Sequence, residues 1–268
     1  MEVIIQPDAA AATLYTARFM AAYIRRTPRA VLGLATGGTP EGVYAELVRM
    51  QREEGLDFSG VSTFNLDECV GLAPEHDGSY RYYMARHLFN HVNIARSATH
   101  FPDGMAADLP AECIQYERQI KSAGGIGVQL LGIGRDGHIG FNEPTSSLVS
   151  RTRIKTLTEE TIRDNMKHFK KGEKVPYHVL TMGIGTIREA RTVLMLALGK
   201  SKAEAVAQMV EGPVTSMVPA SALQMHEQAV VILDGAAAAR LSKADYYRWV
   251  FENKPAWQHI VPRGGSTR

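Results

Sequence analysis

Three side chains that can carry a proton stand close together near the middle of the chain: Asp136, His138 and Glu143. A carboxylate beside a His can fix the tautomer of the imidazole and raise its basicity, which general acid–base catalysis requires. The same spacing also occurs in an ordinary polar loop with a hydrogen-bonded His. The motif therefore has to be weighed together with the elements that position it.

A run of apolar residues precedes this group and predicts a buried strand over Gly127–Gly134. Glycines punctuate the turn that follows, so Asp136 and His138 stand at the carboxyl end of the strand. Ligands of open α/β sheets bind at that edge. The stretch is therefore the first candidate for an active site.

A second candidate site is the TGGTP turn, residues 36–40, which follows an apolar strand predicted over Arg29–Ala35. Pro40 suits the first turn of a helix, and Thr39 suits its N-cap. Two glycines let the backbone approach a ligand, and the free amides of a helix start favour an anion such as phosphate. The Gly-Lys-Ser/Thr ending of a Walker A loop is missing, and a tight turn with good capping chemistry is the alternative.

Two adjacent acids, Asp67 and Glu68, follow the predicted strand Val61–Asn65. Such a pair is either a helix cap or a catalytic pair. If the strand continues, the two side chains point to opposite sides, so at most one of them faces a pocket.

Lys202 stands at the start of a helix that follows the apolar strand Thr192–Leu198. A cation at a helix N-terminus is unfavourable for the helix dipole, and a bound anion would remove that cost. Lys202 is therefore a candidate phosphate ligand, with an ordinary surface lysine as the alternative.

The composition becomes more basic from Ser150 onward, because eight Lys and Arg side chains lie in the stretch from Arg151 to Lys174. We expect a strand and then a basic segment over about residues 156–178. That segment is either a solvated excursion or a lid that closes over an anionic substrate and excludes water. Residues 262–268 are predicted to form a disordered tail.

The composition excludes several classes of protein. The net charge of +2 does not indicate a basic surface that would bind nucleic acid. Cys69 and Cys113 are too few for a disulfide framework, and no Cys/His cluster has zinc spacing. No apolar run reaches the ~18 residues of a membrane span, and the N-terminus lacks a signal-peptide pattern. We expect a cytoplasmic protein with no membrane partner and no metal.

Strands rich in Val, Ile and Leu alternate with helices along the whole chain. This pattern predicts an α/β fold with a doubly wound, mostly parallel sheet, Rossmann-like, and helices on both faces. No linker or internal repeat interrupts it. We therefore expect a single domain over residues 1–268 with the lid as an excursion from it.

Five strings in the chain resemble the glucosamine-6-phosphate deaminases: LGLATGGTPEGVY, TFNLDECVGL, LLGIGRDGHIGFNEP, SRTRIKTLT and LGKSKAEAV. The resemblance covers nearly the whole chain. GRDGHIGFNEP is highly specific, whereas TGGTP alone is not. The resemblance implies isomerisation with deamination of glucosamine 6-phosphate to fructose 6-phosphate and ammonia, in amino-sugar catabolism, with no metal or organic cofactor.

The resemblance also implies roles for single residues. Asp67 matches the base that moves a proton between C2 and C1. His138 matches the group that opens the sugar ring, and Asp136 and Glu143 match its supporting carboxylates. Lys167 stands where the family's lid often supplies an Arg, which weakens bidentate phosphate recognition. The residues that match the phosphate site are Thr36, Gly37, Gly38, Thr39, Lys202 and Lys167.

Some members of that family are hexamers activated by N-acetylglucosamine 6-phosphate at subunit interfaces, so the resemblance implies a homo-oligomer. Other members lack this regulation and form smaller assemblies. Arg153 and Lys155 match this effector site. Two positions apart in a strand, they would face one side, as a phosphate site requires, although a basic strand at a solvent edge is the alternative. The residues that match the effector site are Ser146, Ser147, Arg153, Lys155, Thr156 and Tyr247.

Two rival functions remain open at this point. The 6-phosphogluconolactonases share a similar fold and a related G-x-G-x-DGH turn, usually without the FNEP that follows here. A non-enzymatic sugar-phosphate sensor would bind its ligand without turnover, but it leaves the clustered Asp136, His138 and Glu143 unexplained. Many deaminases carry an aromatic residue where this chain has Cys69, and we expect no nucleophilic role for that thiol.

Overall fold

The computed structural model describes residues 1–159, 162, 169 and 175–261. The predicted lid lies mostly outside the described residues, and Lys167 and the predicted tail 262–268 lie wholly outside them. Among the described residues, no helix combines the length and the apolar character needed to cross a membrane.

Ten strands are present in the described part of the chain. They are β1 (Glu2–Gln6), β2 (Val31–Leu34), β3 (Ser62–Asn65), β4 (Asp67–Cys69), β5 (Thr99–His100), β6 (Val128–Leu131), β7 (Arg153–Thr156), β8 (His178–Thr181), β9 (Thr192–Ala197) and β10 (Ala229–Asp234). The α-helices described are α1 (Ala9–Arg26), α2 (Gly38–Glu54), α3 (Tyr80–Met84), α4 (Leu109–Ser122), α5 (Ile184–Arg188), α6 (Ala203–Glu211) and α7 (Ala244–Asn253). A π-helical turn, Ala85–Phe89, continues α3, and a short 3₁₀ helix, Lys200–Lys202, leads into α6.

Seven of the strands form one sheet in the order β1-β10-β9-β6-β2-β3-β5, and every neighbouring pair is parallel. From β2 the chain first builds toward β3 and β5, and it later adds β6, β9 and β10 on the other side. The strand order therefore reverses between β2 and β6, where Leu32 pairs with Val128. A crevice forms at such a switch point, at the carboxyl ends of the two strands.

The sheet is buried on both faces, as its long apolar strands require. In β10, Val231 and Leu233 belong to one hydrophobic cluster, whereas Val230 and Ile232 belong to the other. This alternation by two is what a strand between two packed layers must show. The predicted doubly wound α/β fold is confirmed.

A second sheet was not predicted from the sequence. It has three antiparallel strands in the order β4-β8-β7. A single residue, Leu66, separates β3 in the large sheet from β4 in the small one. The Leu66 N–H donates to Leu34 O (3.0 Å), and Leu66 O accepts from the Met182 N–H (2.7 Å). One peptide segment thus joins the two sheets.

Two predicted helix starts are wrong. The N-cap of α2 is Gly37 and not Thr39, and Gly37 adopts a φ of 111° that favours glycine. Asp234 follows the last apolar stretch of the sequence and is predicted to cap the last helix, but that helix begins at Ala244. The Asp234 carboxylate instead accepts from the Ala237 N–H (2.7 Å) in a turn after β10.

Candidate active site

A cavity of about 500 Å³ opens at the switch point, at the carboxyl ends of β2 and β6. The turn after β2, the loop after β6, β4 and the start of α6 all contribute to its wall. Parallel neighbouring strands deliver their following loops to one edge of the sheet, and for this reason predicted residues far apart in sequence meet here. The predicted residues that line it are Thr36, Gly37, Gly38, Thr39, Asp67, Asp136, His138, Glu143 and Lys202.

The turn after β2 presents an open backbone to this cavity. At Gly37 and at Gly38, a Cβ atom would meet no other atom within 4 Å. The Gly37 carbonyl accepts a hydrogen bond from the Tyr83 hydroxyl (2.6 Å). The amides at the start of α2, a helix of 17 residues, carry the positive end of its dipole. The turn can therefore bind an anion.

Lys202 forms the opposite wall, at the point where the 3₁₀ helix gives way to α6. Burial lowers the pKa of its ammonium group, and the nearby Arg135 guanidinium lowers it further, against the attraction of Asp136. The sequence reasoning missed Arg135, which also lines the cavity. Its position between Gly134 and Asp136, in the loop already predicted to carry the site, was the signal that could have placed it at the cavity.

The imidazole of His138 lies between two carboxylates. Its Nδ1 is 2.7 Å from Asp136 Oδ1 and 3.2 Å from Glu143 Oε2. At these distances hydrogen bonding and the attraction of opposite charges both stabilise the protonated imidazole. Burial by itself would lower the pKa of His138, but the two carboxylates outweigh it and raise that pKa to about 9. The contact with His138 in turn lowers the pKa of Asp136.

Glycines shape the loop that carries His138. The Gly134 N–H donates to His138 O (2.9 Å), and a Cβ at Gly134 would lie 2.3 Å from the imidazole. Gly137 and Gly140 have φ values of 85° and 55°, which other residues rarely adopt. Asn142 fixes the end of the loop, because its buried amide donates to Ile139 O (2.8 Å) and to Met182 O (2.9 Å).

The two adjacent acids have separate environments, as their alternation on a strand predicts. Asp67 is buried and faces the cavity, and among the described residues no hydrogen bond reaches its carboxylate. Burial and the repulsion of Glu68 raise the pKa of Asp67 to about 8, against the attraction of His138. Asp67 is therefore a carboxylate held ready to accept or return a proton near neutral pH.

Glu68 points the other way and caps the helix α3. Its carboxylate accepts from the Ser79 hydroxyl (2.9 Å) and from the backbone N–H groups of Cys69 (2.9 Å), Tyr80 (2.8 Å) and Arg81 (3.0 Å). Burial raises the pKa of Glu68 above its ordinary value, although these donors oppose the rise. Of the two roles that the sequence left open, Glu68 takes the cap and Asp67 the cavity.

The residues that match an effector site lie outside this cavity. Arg153 and Lys155 share the less exposed side of β7, as predicted, and Arg153 donates to Asn142 Oδ1 (2.8 Å). Ser146 is buried, and its hydroxyl makes no hydrogen bond within the described part of the chain. Tyr247 lies on α7, where its hydroxyl donates to Glu211 Oε1 (3.2 Å). Ser147 and Thr156 are exposed.

One group of side chains has the spacing of a metal site. The ligand atoms of Asp136, His138 and Glu143 all lie within 4.8 Å of one another. These residues could hold a divalent cation or move protons between themselves, and the choice is a matter for experiment.

A larger cavity, of about 760 Å³, lies beside α4, and three of its charged side chains, Glu117, Arg151 and Glu189, are paired with one another. Glu117 accepts from the Thr152 and Thr186 hydroxyls, and Arg151 pairs with Glu117 and Glu189. None of the predicted site residues lines it. The smaller cavity at the switch point is therefore the candidate active site.

Comparisons with known proteins were made with the whole sequence and with the fold. Residues 7–232 match the family of glucosamine-6-phosphate isomerases/6-phosphogluconolactonase. A glucosamine-6-phosphate deaminase of Arthrobacter sp. (strain FB24) is 55% identical over 260 residues, which cover 97% of this chain and 100% of that protein.

Solved structures resemble the fold as well. A monomeric glucosamine-6-phosphate deaminase superposes with a TM-score of 0.86 and 45% identity over 90% of this chain and 100% of that one. The 6-phosphogluconolactonase of Thermotoga maritima superposes with a TM-score of 0.68 over 87% of this chain and 99% of that one. Its identity is 19%, so it shares the fold alone.

Proposed function

The chain belongs to the family of glucosamine-6-phosphate isomerases and 6-phosphogluconolactonases, and we propose from this that it deaminates glucosamine 6-phosphate. The products are fructose 6-phosphate and ammonia. The observation that carries the proposal is one cavity that combines an anion-binding turn, a buried carboxylate with a raised pKa and a protonated imidazole. Isomerisation of a phosphorylated amino sugar requires these three parts.

The phosphate of the substrate binds at one end of the cavity in this proposal. The amides of residues 36–39 donate to the phosphate oxygens, and Lys202 neutralises their charge. The phosphate is remote from the reacting carbons, so its binding energy serves to position C1 and C2.

Ring opening is assigned to His138. The ring oxygen must gain a proton while the anomeric hydroxyl loses one, and an imidazole can relay both. Asp136 and Glu143 keep His138 protonated at neutral pH, since they raise its pKa to about 9. They also limit the rotation of the ring, which keeps its outer nitrogen directed at the substrate.

Proton transfer between the carbons is assigned to Asp67. Its carboxylate removes the proton from C2 of the open aldose and returns it to C1. The C1 oxygen gains a proton and the C2 amine loses one in the same change, which leaves a C1 hydroxyl and a C2 imine. Water adds to the imine carbon, and the C–N bond then breaks to release ammonia and the C2 ketone. A buried carboxylate with a raised pKa is suited to such a step, because it is a stronger base than a solvated one.

The effector response and the assembly are proposed separately. Arg153 and Lys155 lie on the same side of β7, and the buried Ser146 hydroxyl is unpaired among the described residues. These groups would bind the phosphate of N-acetylglucosamine 6-phosphate in a homo-oligomer of up to six chains. Light scattering tests the assembly, and a monomer unaffected by the effector would overturn both parts.

Two buried free thiols, Cys69 and Cys113, suit the reducing cytoplasm.

The function is tested by ammonia release from glucosamine 6-phosphate, with and without a chelator and with and without N-acetylglucosamine 6-phosphate. We expect ammonia in the presence of the chelator. Loss of activity on chelation would assign Asp136, His138 and Glu143 to a metal instead. Absence of ammonia under all conditions, with acid released from 6-phosphogluconolactone, would make the protein a lactonase.

A further inference from the structure

A second cation, Arg135, lies at the phosphate end of the cavity. It stands in the loop after β6, and the anion-binding turn follows β2. Since β2 and β6 are neighbours in the sheet, the turn and the loop leave the sheet side by side. The Arg135 side chain is exposed and lines the cavity together with residues 36–39 and Lys202.

Arg135 and Lys202 are close enough to repel each other. Burial lowers the pKa of Lys202 most, and the guanidinium of Arg135 lowers it further, against the attraction of Asp136. The repulsion between the two like charges costs free energy. Asp136 is the acid nearest in sequence, and its carboxylate contacts His138 at 2.7 Å. Neither cation takes part in any of the ion pairs that the described residues form with one another. Two cations that line one cavity and form no ion pair with a carboxylate of the described residues are suited to an anion of two charges.

We propose that Arg135 is a second phosphate ligand of the substrate, which acts together with Lys202 and the amides of residues 36–39. This inference rests on the proposed function and specifies its phosphate site. A guanidinium offers two parallel N–H donors to two phosphate oxygens, whereas an ammonium group acts as a point charge. A phosphate monoester carries between one and two negative charges at neutral pH, which the two cations balance.

The position of Arg135 gives the contact a second effect. His138 follows three positions later in the same loop, and its backbone carbonyl is held by the Gly134 N–H. A phosphate bound to Arg135 therefore fixes the loop that carries the ring-opening group. Binding energy at the phosphate would in this way support the chemistry at C1.

The experiment compares Arg135→Gln with Arg135→Lys and with a matched control, Lys200→Gln. Lys200 is an exposed cation of the 3₁₀ helix that ends at Lys202, but it does not line the cavity. The readouts are the KM for glucosamine 6-phosphate and the inhibition constant of inorganic phosphate. Loss of a charge-assisted contact should raise both quantities about 10- to 100-fold in Arg135→Gln. Arg135→Lys should lie between it and the wild type, and Lys200→Gln should stay within about twofold.

Two results would overturn the inference. If Arg135→Gln matches Lys200→Gln in both readouts, the guanidinium contributes only to the general potential of the surface. If its KM rises while inhibition by phosphate is unchanged, Arg135 contacts the sugar and not the phosphate.

Failure of the proposed function can be told apart from failure of this inference. Binding of inorganic phosphate is measurable without turnover, as a rise in Tm with phosphate concentration. If the wild type releases no ammonia, a phosphate-dependent Tm that survives in Lys200→Gln and is lost in Arg135→Gln still supports the phosphate site. The Tm without phosphate shows whether each variant is folded. No phosphate response in the folded wild type would overturn the site.

Discussion

Replacement of Asp136 by Asn should change the pH dependence of the reaction in a defined way. The productive enzyme has Asp67 ionised and His138 protonated. It therefore forms as the pH rises through about 8, and it is lost as the pH rises through about 9. We expect kcat/KM of the wild type to follow a bell with its two limbs near these values.

The expected shift follows from the contact between the two side chains. Asp136 Oδ1 lies 2.7 Å from His138 Nδ1, and a hydrogen bond or close contact to a charged group contributes about 1.5–3 kcal/mol. This corresponds to about one to two pH units. In Asp136→Asn the pKa of His138 should therefore fall to about 7–8, because burial is then opposed by Glu143 alone.

The order of the two ionisations then reverses. With pKa values of about 8 for Asp67 and 9 for His138, about 60% of the enzyme is productive at the optimum, whereas with a His138 pKa of about 7.5 this fraction is about 13%. We expect a narrower bell, centred at a lower pH, with a maximum lowered at least threefold by ionisation alone.

The assay is the initial rate of ammonia release at low substrate concentration, between about pH 6 and pH 10. Glu143→Gln is the matched comparison. Its contact with His138 is longer, at 3.2 Å, so the alkaline limb should move less than in Asp136→Asn. An alkaline limb that stays near its wild-type position in Asp136→Asn would refute the reasoning, since it would show that this carboxylate does not control the imidazole.

Three further substitutions test other parts of the site. Asp67→Asn should abolish turnover and leave the binding of a sugar phosphate, measured by titration calorimetry, largely intact; turnover near the wild-type rate would remove Asp67 from its role. Glu68→Gln leaves two donors without an acceptor and should lower the free energy of unfolding in urea by about 2–4 kcal/mol; an unchanged midpoint would contradict the capping role. Gly134→Ala should displace the His138 imidazole, which a Cβ would approach to 2.3 Å, and lower kcat at least tenfold. Gly235→Ala is its control, because Gly235 does not line the cavity and a Cβ there meets only Pro7 O, at 3.6 Å; equal activities of the two variants would argue against the clash.

Much of the site was predictable because the sheet is parallel. Apolar strands indicated where β2 and β6 end, and loops that follow neighbouring parallel strands meet at one edge. The placement of residues 36–39 beside His138 follows from this rule. The separation of Asp67 from Glu68 follows from the alternation of side chains along a strand.

The small sheet was not predictable by the same reasoning. β4 has three residues, and the strand that pairs with it, β8, is distant in the sequence. So short a segment carries no periodic signal, and its pairing depends on tertiary contacts. The N-cap of α2 was also missed. Gly37 caps the helix through its backbone conformation, with a φ of 111°, and it has no side chain that would indicate a cap in the sequence. A single charged residue in a polar loop, Arg135, likewise carries no pattern that fixes its direction.

The joint at Leu66 has a consequence for how such an enzyme can diversify. The proposed base, Asp67, lies in the small sheet, whereas the proposed anion-binding turn and the His138 loop follow strands of the large one. Substitutions on β7 and β8 can therefore move the base relative to the substrate while the site that anchors the phosphate stays in place. Substrate affinity and turnover therefore depend on separate parts of the chain. Selection can alter the reaction performed on a phosphorylated sugar while the protein still binds that sugar.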